Sequence, residues 1–169
     1  MQKANPLVPN LSLKLFPPAE RESLASQTKF WNKILEASAL TCIYTGERLT
    51  PKAFALDHFL PWSFVVHNEP WNLIPVSPKA NSAKSDRLPA PRYFEPFVST
   101  QHSALRTSKE LLKDNWKDIA DLYAVRLKVS NVDELLNLDL LAPAYKRLYQ
   151  PQIELAKLNG FQPNWDYRN

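Results

Sequence analysis

Asp57-His58-Phe59-Leu60-Pro61, then Asn72-Leu73-Ile74-Pro75, then Asn81-Ser82-Ala83-Lys84-Ser85-Asp86: these runs bring a carboxylate, an imidazole, two carboxamides and an amine within thirty residues. An Asp-His pair alone is ordinary, and a histidine in a domain is more often structural than reactive. The conjunction is what carries weight, because Asn72 lies fourteen residues beyond His58 and Asn81 nine beyond Asn72.

Working outward, Thr41-Cys42-Ile43-Tyr44 reads as a short strand, Thr45-Gly46-Glu47 as a turn and Ala53-Phe54-Ala55-Leu56-Asp57 as the returning strand, a hairpin-like unit. A loop rich in Pro and Trp fills the interval from Asp57 to Asn72. Ser77-Pro78 is a good helix start, serine at the N-cap and proline at the first helical position, for a short helix to about Ser85. Asn81 and Lys84, three apart, share one face of it.

On either side the periodicity is helical. Leu24, Phe30, Trp31, Ile34, Leu35 and Ala39 form a stripe ending near Leu40. Beyond Pro89-Ala90-Pro91, the residues Leu105, Leu111, Leu112, Trp116, Ile119, Ala120, Tyr123 and Leu127 fit one long amphipathic helix. Val132–Leu136 fits a short one, and Tyr145–Leu158 a third closed by Asn159-Gly160, with Pro143 and Pro151 expected to limit or kink it. The expected class is α+β, mostly α by residue count: a ββα unit at about 41–90 within a single domain of 18–169, whose part from 91 to 169 is helical. Residues 1–17, punctuated by proline, read as an arm or linker of a longer polypeptide.

Composition narrows the classes. At 169 residues and 44% hydrophobic, the chain is long enough for one well-buried core and too short for two large ones. The net charge of +4 favours a polyanionic partner only mildly. Fifteen prolines against two glycines leave most turns to Pro, Asn, Asp and Ser, with Gly46 and Gly160 at positive φ. A single cysteine, Cys42, excludes an internal disulfide and any zinc site needing two thiolates of one chain. No apolar run approaches the roughly twenty residues of a membrane span, so a cytoplasmic setting is expected.

The chemistry follows from the residue types. Cleaving a phosphodiester needs a base for water, charge to offset the pentavalent phosphate, and help for the leaving oxygen. An imidazole whose unperturbed pKa is about 6.5 suits the first task at neutral pH. A carboxylate and an amide oxygen, both hard ligands, suit Mg²⁺ or Mn²⁺.

Ala55–Phe64, Asn72–Pro75 and Asn81–Pro89 together resemble the HNH endonucleases in their His-Asn-Asn form, as in the nuclease domains of RNA-guided CRISPR effectors and related bacterial defence proteins. The resemblance implies His58 as general base, Asp57 and Asn81 as metal ligands, Asn72 as a brace for the loop carrying the histidine, and Lys84 as a contact to the phosphate or departing oxygen. It implies a DNA substrate, RNA not excluded, and targeting supplied by a larger protein or guide-RNA complex. The chain departs from many relatives in lacking paired Cys-x-x-Cys ligands: Thr45 stands where the partner of Cys42 would be, so no structural zinc is expected and Phe54, Leu56, Phe59, Trp62, Phe64, Trp71, Leu73 and Ile74 are expected to hold the scaffold.

Of the remaining polar residues, His67 reads as a solvated loop residue, His102 as a structural residue at a helix start, and Asp86 as an acid supporting the site from behind or a charge near a helix end, the second reading slightly favoured. Lys79, Lys84, Arg87 and Arg92 form a candidate phosphate-contacting patch. Lys109, Lys113, Lys117, Arg126 and Lys128, interleaved with acids, read as a solvated helix face with i,i+4 pairs. The alternative to a nuclease is a catalytically silent module that holds nucleic acid or docks within a larger complex.

Overall fold

The computed structural model describes residues 22–168; the expected arm at 1–17 lies outside them. In chain order the elements are α1 (Ala25–Ala37), β1 (Ala55–His58), α2 (Trp62–Val65), β2 (Leu73–Val76), α3 (Pro78–Lys84), α4 (Phe94–Leu112), α5 (Trp116–Leu127) and α6 (Leu138–Leu158), joined in part by short 3₁₀ turns. The architecture is α+β, mostly helical with a two-stranded antiparallel sheet.

That sheet is not the expected hairpin. β1 pairs with β2, in register Ala55↔Val76 to His58↔Leu73, whereas Thr41 and Arg48 form only an isolated bridge around the turn at Gly46. Leu73, Ile74 and Val76 are completely covered, whereas along 41–44 the buried Cys42 and Tyr44 alternate with exposed Thr41 and half-buried Ile43. Pro75 and the shortness of the run hide β2 in the sequence, since proline removes a ladder donor. α3 follows directly and completes a β-β-α unit. Ser77 occupies its N-cap position without a side-chain capping bond, and Pro78 opens the helix.

The expected long helix is two. It breaks at Lys113–Asn115, where Lys113 takes a positive φ of 47°. The break turns Trp116, Ala120, Tyr123 and Leu127 of α5 inward alongside Ala104 and Leu105 of α4, which one straight helix would not do. α6 starts at Leu138, seven residues before the expected Tyr145, because the Asn137 side chain accepts from Asp139 N (3.0 Å) and so caps it. It runs through Pro143 and Pro151; burial of Leu141, Ala144, Tyr145 and Tyr149 outweighs the bonds these prolines remove.

The buried side chains of these elements form one continuous cluster. Its centre is aromatic: Phe59 stacks on Phe97 at 4.2 Å between ring centroids, and Tyr145 and Tyr149 of α6 meet Phe97 at 5.5 and 5.4 Å. Phe59, Phe64, Trp71 and Ile74 belong to it and Leu73 is also buried, whereas Phe54, Leu56 and Trp62 are half-buried. Past α6 the chain returns to Leu88, with Trp165 N donating to Leu88 O and Ala90 N to Trp165 O. This strap sets the Trp165 ring edge-on to Tyr44 at 5.0 Å. No helix of the described residues is long and apolar enough to cross a membrane.

Candidate active site

β1 ends by delivering Asp57 and His58 to adjoining environments. The Asp57 carboxylate is 3% exposed; its Oδ1 accepts from Lys84 Nζ at 2.9 Å and its Oδ2 from the Tyr44 hydroxyl at 2.7 Å. Lys84 Nζ also donates to His58 O at 2.8 Å. Burial pushes the Asp57 carboxyl above the usual range, with Lys84 and Tyr44 offsetting only part of that rise. The Tyr44 hydroxyl is itself pushed far up, first by burial and then by the Asp57 charge, so it stays a donor.

Lys84 lies on the face of α3 that turns inward, one helical turn beyond the fully buried Ala80. With the whole residue covered and its ammonium engaged by Asp57 and His58 O, it does not fit the expected phosphate contact. The surrounding basic patch also disperses. Arg87 caps the last carbonyls of α3 at Ala83 and Lys84, and Arg92 pairs with Asp166, leaving Lys79 exposed.

His58 is 5% exposed, and its Nε2 lies 2.9 Å from Asn68 Oδ1. Asp57, His58, Asn81, Ser85 and Asp86 line one polar cavity of about 360 Å³ between the end of β1 and α3. Asp86, for which the sequence leaves open an acid supporting the site or a charge at a helix end, is on this wall. It and Ser85 also border a wider groove of about 570 Å³ reaching the 159–162 turn.

Asn72 does not line the cavity. Completely buried, it accepts from Leu60 N and donates to Leu60 O, both at 2.9 Å, and accepts from the Tyr149 hydroxyl at 2.8 Å. Its amide ties the turn before β2 to the chain just past His58. The same turn receives the Tyr145 hydroxyl at Trp71 O, 3.2 Å, and the Tyr123 hydroxyl at Pro70 O, 3.3 Å.

His67 is half-buried, with its ring 5.2 Å from that of Trp71 and its Nδ1 accepting from Glu69 N, so the solvated-loop expectation fails. His102 lies well inside α4, not at its start, and its Nε2 meets Leu136 O at 2.8 Å. Arg126, expected on a solvated face, is half-buried and forks onto Glu69, which Trp71 Nε1 also approaches. Against the burial that would raise it, the Arg126 hydrogen bonds, the His67 charge and the Trp71 donor hold the Glu69 carboxyl below its usual range. Lys109 pairs with Asp133 of the Val132–Leu136 turn beyond α5 instead of along its helix.

Sequence reading missed Tyr44 and Asn68. Neither stands at a recognisable spacing from the residue it holds. Among the described residues no three His, Cys, Asp or Glu side chains gather into a group that could hold a metal ion.

No curated protein and no solved structure matches the chain. Residues 42–90, less than a third of its length but the part that builds the whole cavity wall, match the family model of the HNH endonucleases, which implies nuclease activity on a nucleic acid.

Proposed function

We propose that this cavity hydrolyses phosphodiester bonds of DNA with the help of one divalent metal ion. The observation that carries the reading is the meeting of Asp57, His58 and Asn81 on one polar cavity inside the segment matched to HNH endonucleases. His58 takes the proton of the attacking water through its imidazole. Asn72 keeps the backbone past His58 fixed on the turn before β2, so the ring and the cavity wall hold their relation during the reaction.

The donor set fits a hard cation. Each Asp57 oxygen takes one protein donor and so retains acceptor capacity, and Asn81 adds an amide oxygen. Asp57 and Asn81 would hold Mg²⁺ or Mn²⁺, which keeps several waters when the protein supplies few ligands. When bound, the ion supplies positive charge against the phosphate. Lys84 acts from behind, keeping the Asp57 carboxylate ionised against the burial that favours its neutral form.

One base in one cavity cuts one strand per engagement. Choice of target then falls to a partner, a larger protein or a guide-RNA complex. The test is nicking of supercoiled plasmid in Mg²⁺ by the wild type and by His58→Ala. We expect the variant to lose about 10²-fold or more in rate, the scale of a positioned general base. Equal rates would take His58 out of the mechanism.

A second reading, a silent nucleic-acid-binding or docking module, draws on the closure of Asp57 by Lys84 and Tyr44. Titration of Mn²⁺ in the presence of DNA separates the two. Absence of metal affinity in the folded protein favours the silent module.

A further inference from the structure

The carboxamide of Asn68 meets the His58 ring, and its own orientation is set from outside residues 42–90. Asn68 is 8% exposed, in the loop between α2 and β2. Its Nδ2 donates to the backbone carbonyl of Glu22 at 3.1 Å. A carbonyl only accepts, so this bond assigns Nδ2 to the Glu22 side and turns Oδ1 toward the imidazole. Oδ1 likewise only accepts. At 2.9 Å from it, His58 Nε2 must therefore be the protonated nitrogen of the neutral ring, and Nδ1 carries the lone pair. The loop is pinned a second time, because Gln27 Nε2 donates to Asn68 O at 3.0 Å.

Glu22 and Gln27 belong to α1 and the chain entering it, and both lie outside the matched residues 42–90. We infer that Asn68 is a positioning residue that fixes His58 as its Nε2–H tautomer, with Nδ1 as the base, and that the chain entering α1 latches Asn68 in that role. The consequence for turnover rests on the nuclease reading above; the ring tautomer does not. An HNH unit of this chain trimmed to its matched residues would keep Asp57, His58 and Asn81 yet lose what orients the base.

The experiment is nitrogen-15 NMR of the full chain with labelled histidine, at a pH where the rings are neutral, with His58 assigned by comparison with His58→Ala. Nicking rates are read in parallel. In the wild type we expect a pyrrole-like Nε2 and a pyridine-like Nδ1. Asn68→Leu, which removes the acceptor, should move the ring to a mixture of tautomers and lower kcat roughly tenfold with KM little changed, as loss of part of a general-base contribution would. Asn68→Asp, which keeps an acceptor, should restore the Nε2–H form. Gln27→Leu should loosen the latch, with a drop in kcat of about threefold by the same reasoning.

A wild-type ring protonated on Nδ1 overturns the inference. So does an N68L protein that keeps the Nε2–H form throughout at wild-type kcat. If N68L does not fold, the wild-type and N68D spectra decide between the same two outcomes. If the wild type proves not to cut, the spectra still decide the tautomer, so failure of the nuclease reading stays separate from failure of this one.

Discussion

The α3 side of the cavity and the loop behind it are held in opposite ways. On the α3 side, Asp57, Lys84 and Tyr44 satisfy one another inside the segment 42–90, with every bond buried. On the loop side, Asn68, Glu69, Trp71 and Asn72 are held by groups from α1, α5 and α6: Gln27, Arg126, Tyr145 and Tyr149. The groups proposed to react thus sit on the segment 42–90, while the loop beside them is held by the helices around it. Damage on the first side should show its cost without the surrounding helices, and damage on the second should show how much those helices contribute.

Lys84→Met is the most severe way to break the contrast. It leaves the Asp57 carboxylate buried with only Tyr44 against it, and breaking one partner of a buried pair costs about 3–5 kcal/mol. Urea denaturation at neutral pH measures the loss. The sign of its pH dependence is fixed by the direction of the Asp57 shift. Burial already raises that carboxyl, removal of Lys84 raises it further, and a group whose folded pKa is raised gains relative stability as it protonates. The deficit should therefore shrink on acidification. A loss below about 1 kcal/mol would mean the pair is not buried as described.

Asn72→Ala tests the loop side at its best-covered point. It strands the N–H and C=O of Leu60, itself fully buried, and stranded backbone groups cost about 1–3 kcal/mol each, so a loss at the lower end of about 2–6 kcal/mol is expected. Tyr149→Phe removes one donor to Asn72 while Leu60 N still serves the same oxygen. That substitution should cost about 1 kcal/mol. The two losses should not add, since both act on one amide. Full additivity in the double variant would show that α6 does not hold this turn through Asn72.

The same contrast explains what the sequence disclosed. The meeting of Asp57, His58 and Asn81 on one cavity is legible from residue types at short spacing, and α3 is legible from Ser77-Pro78. The inward turn of Lys84 was there to be read as well, since Ala80 stands four residues before it on the same face, but a lysine invites an exposed reading. β2 was hidden by Pro75. The loop supports could not be found at all: Tyr149 lies 77 residues from the asparagine it holds, and Gln27 lies 41 from Asn68. Such contacts obey no local period. The contacts from α5 and α6 follow where the break at Lys113 and the cap at Asn137 aim those helices.

The smallest expected effect is also the one that separates the two sides by solvent. Glu69 and Arg126 are each about one-third exposed, unlike the covered Asp57 and Lys84, so their pair is screened and should contribute less than about 1 kcal/mol. Although burial alone would raise Glu69, Arg126, His67 and Trp71 together leave its carboxyl lowered. A carboxyl depressed in the folded state contributes stability above its ordinary pKa and loses it as pH falls through the depressed folded value. Urea midpoints followed downward from neutral pH should therefore show an acid loss that Glu69→Gln reduces. Added salt should weaken the same contribution in the wild type while leaving the cost of Lys84→Met nearly unchanged, because a Debye atmosphere reaches exposed charges and not covered ones. Equal salt sensitivity at both pairs would erase the distinction between a unit closed on itself and a loop held through solvent-touched contacts.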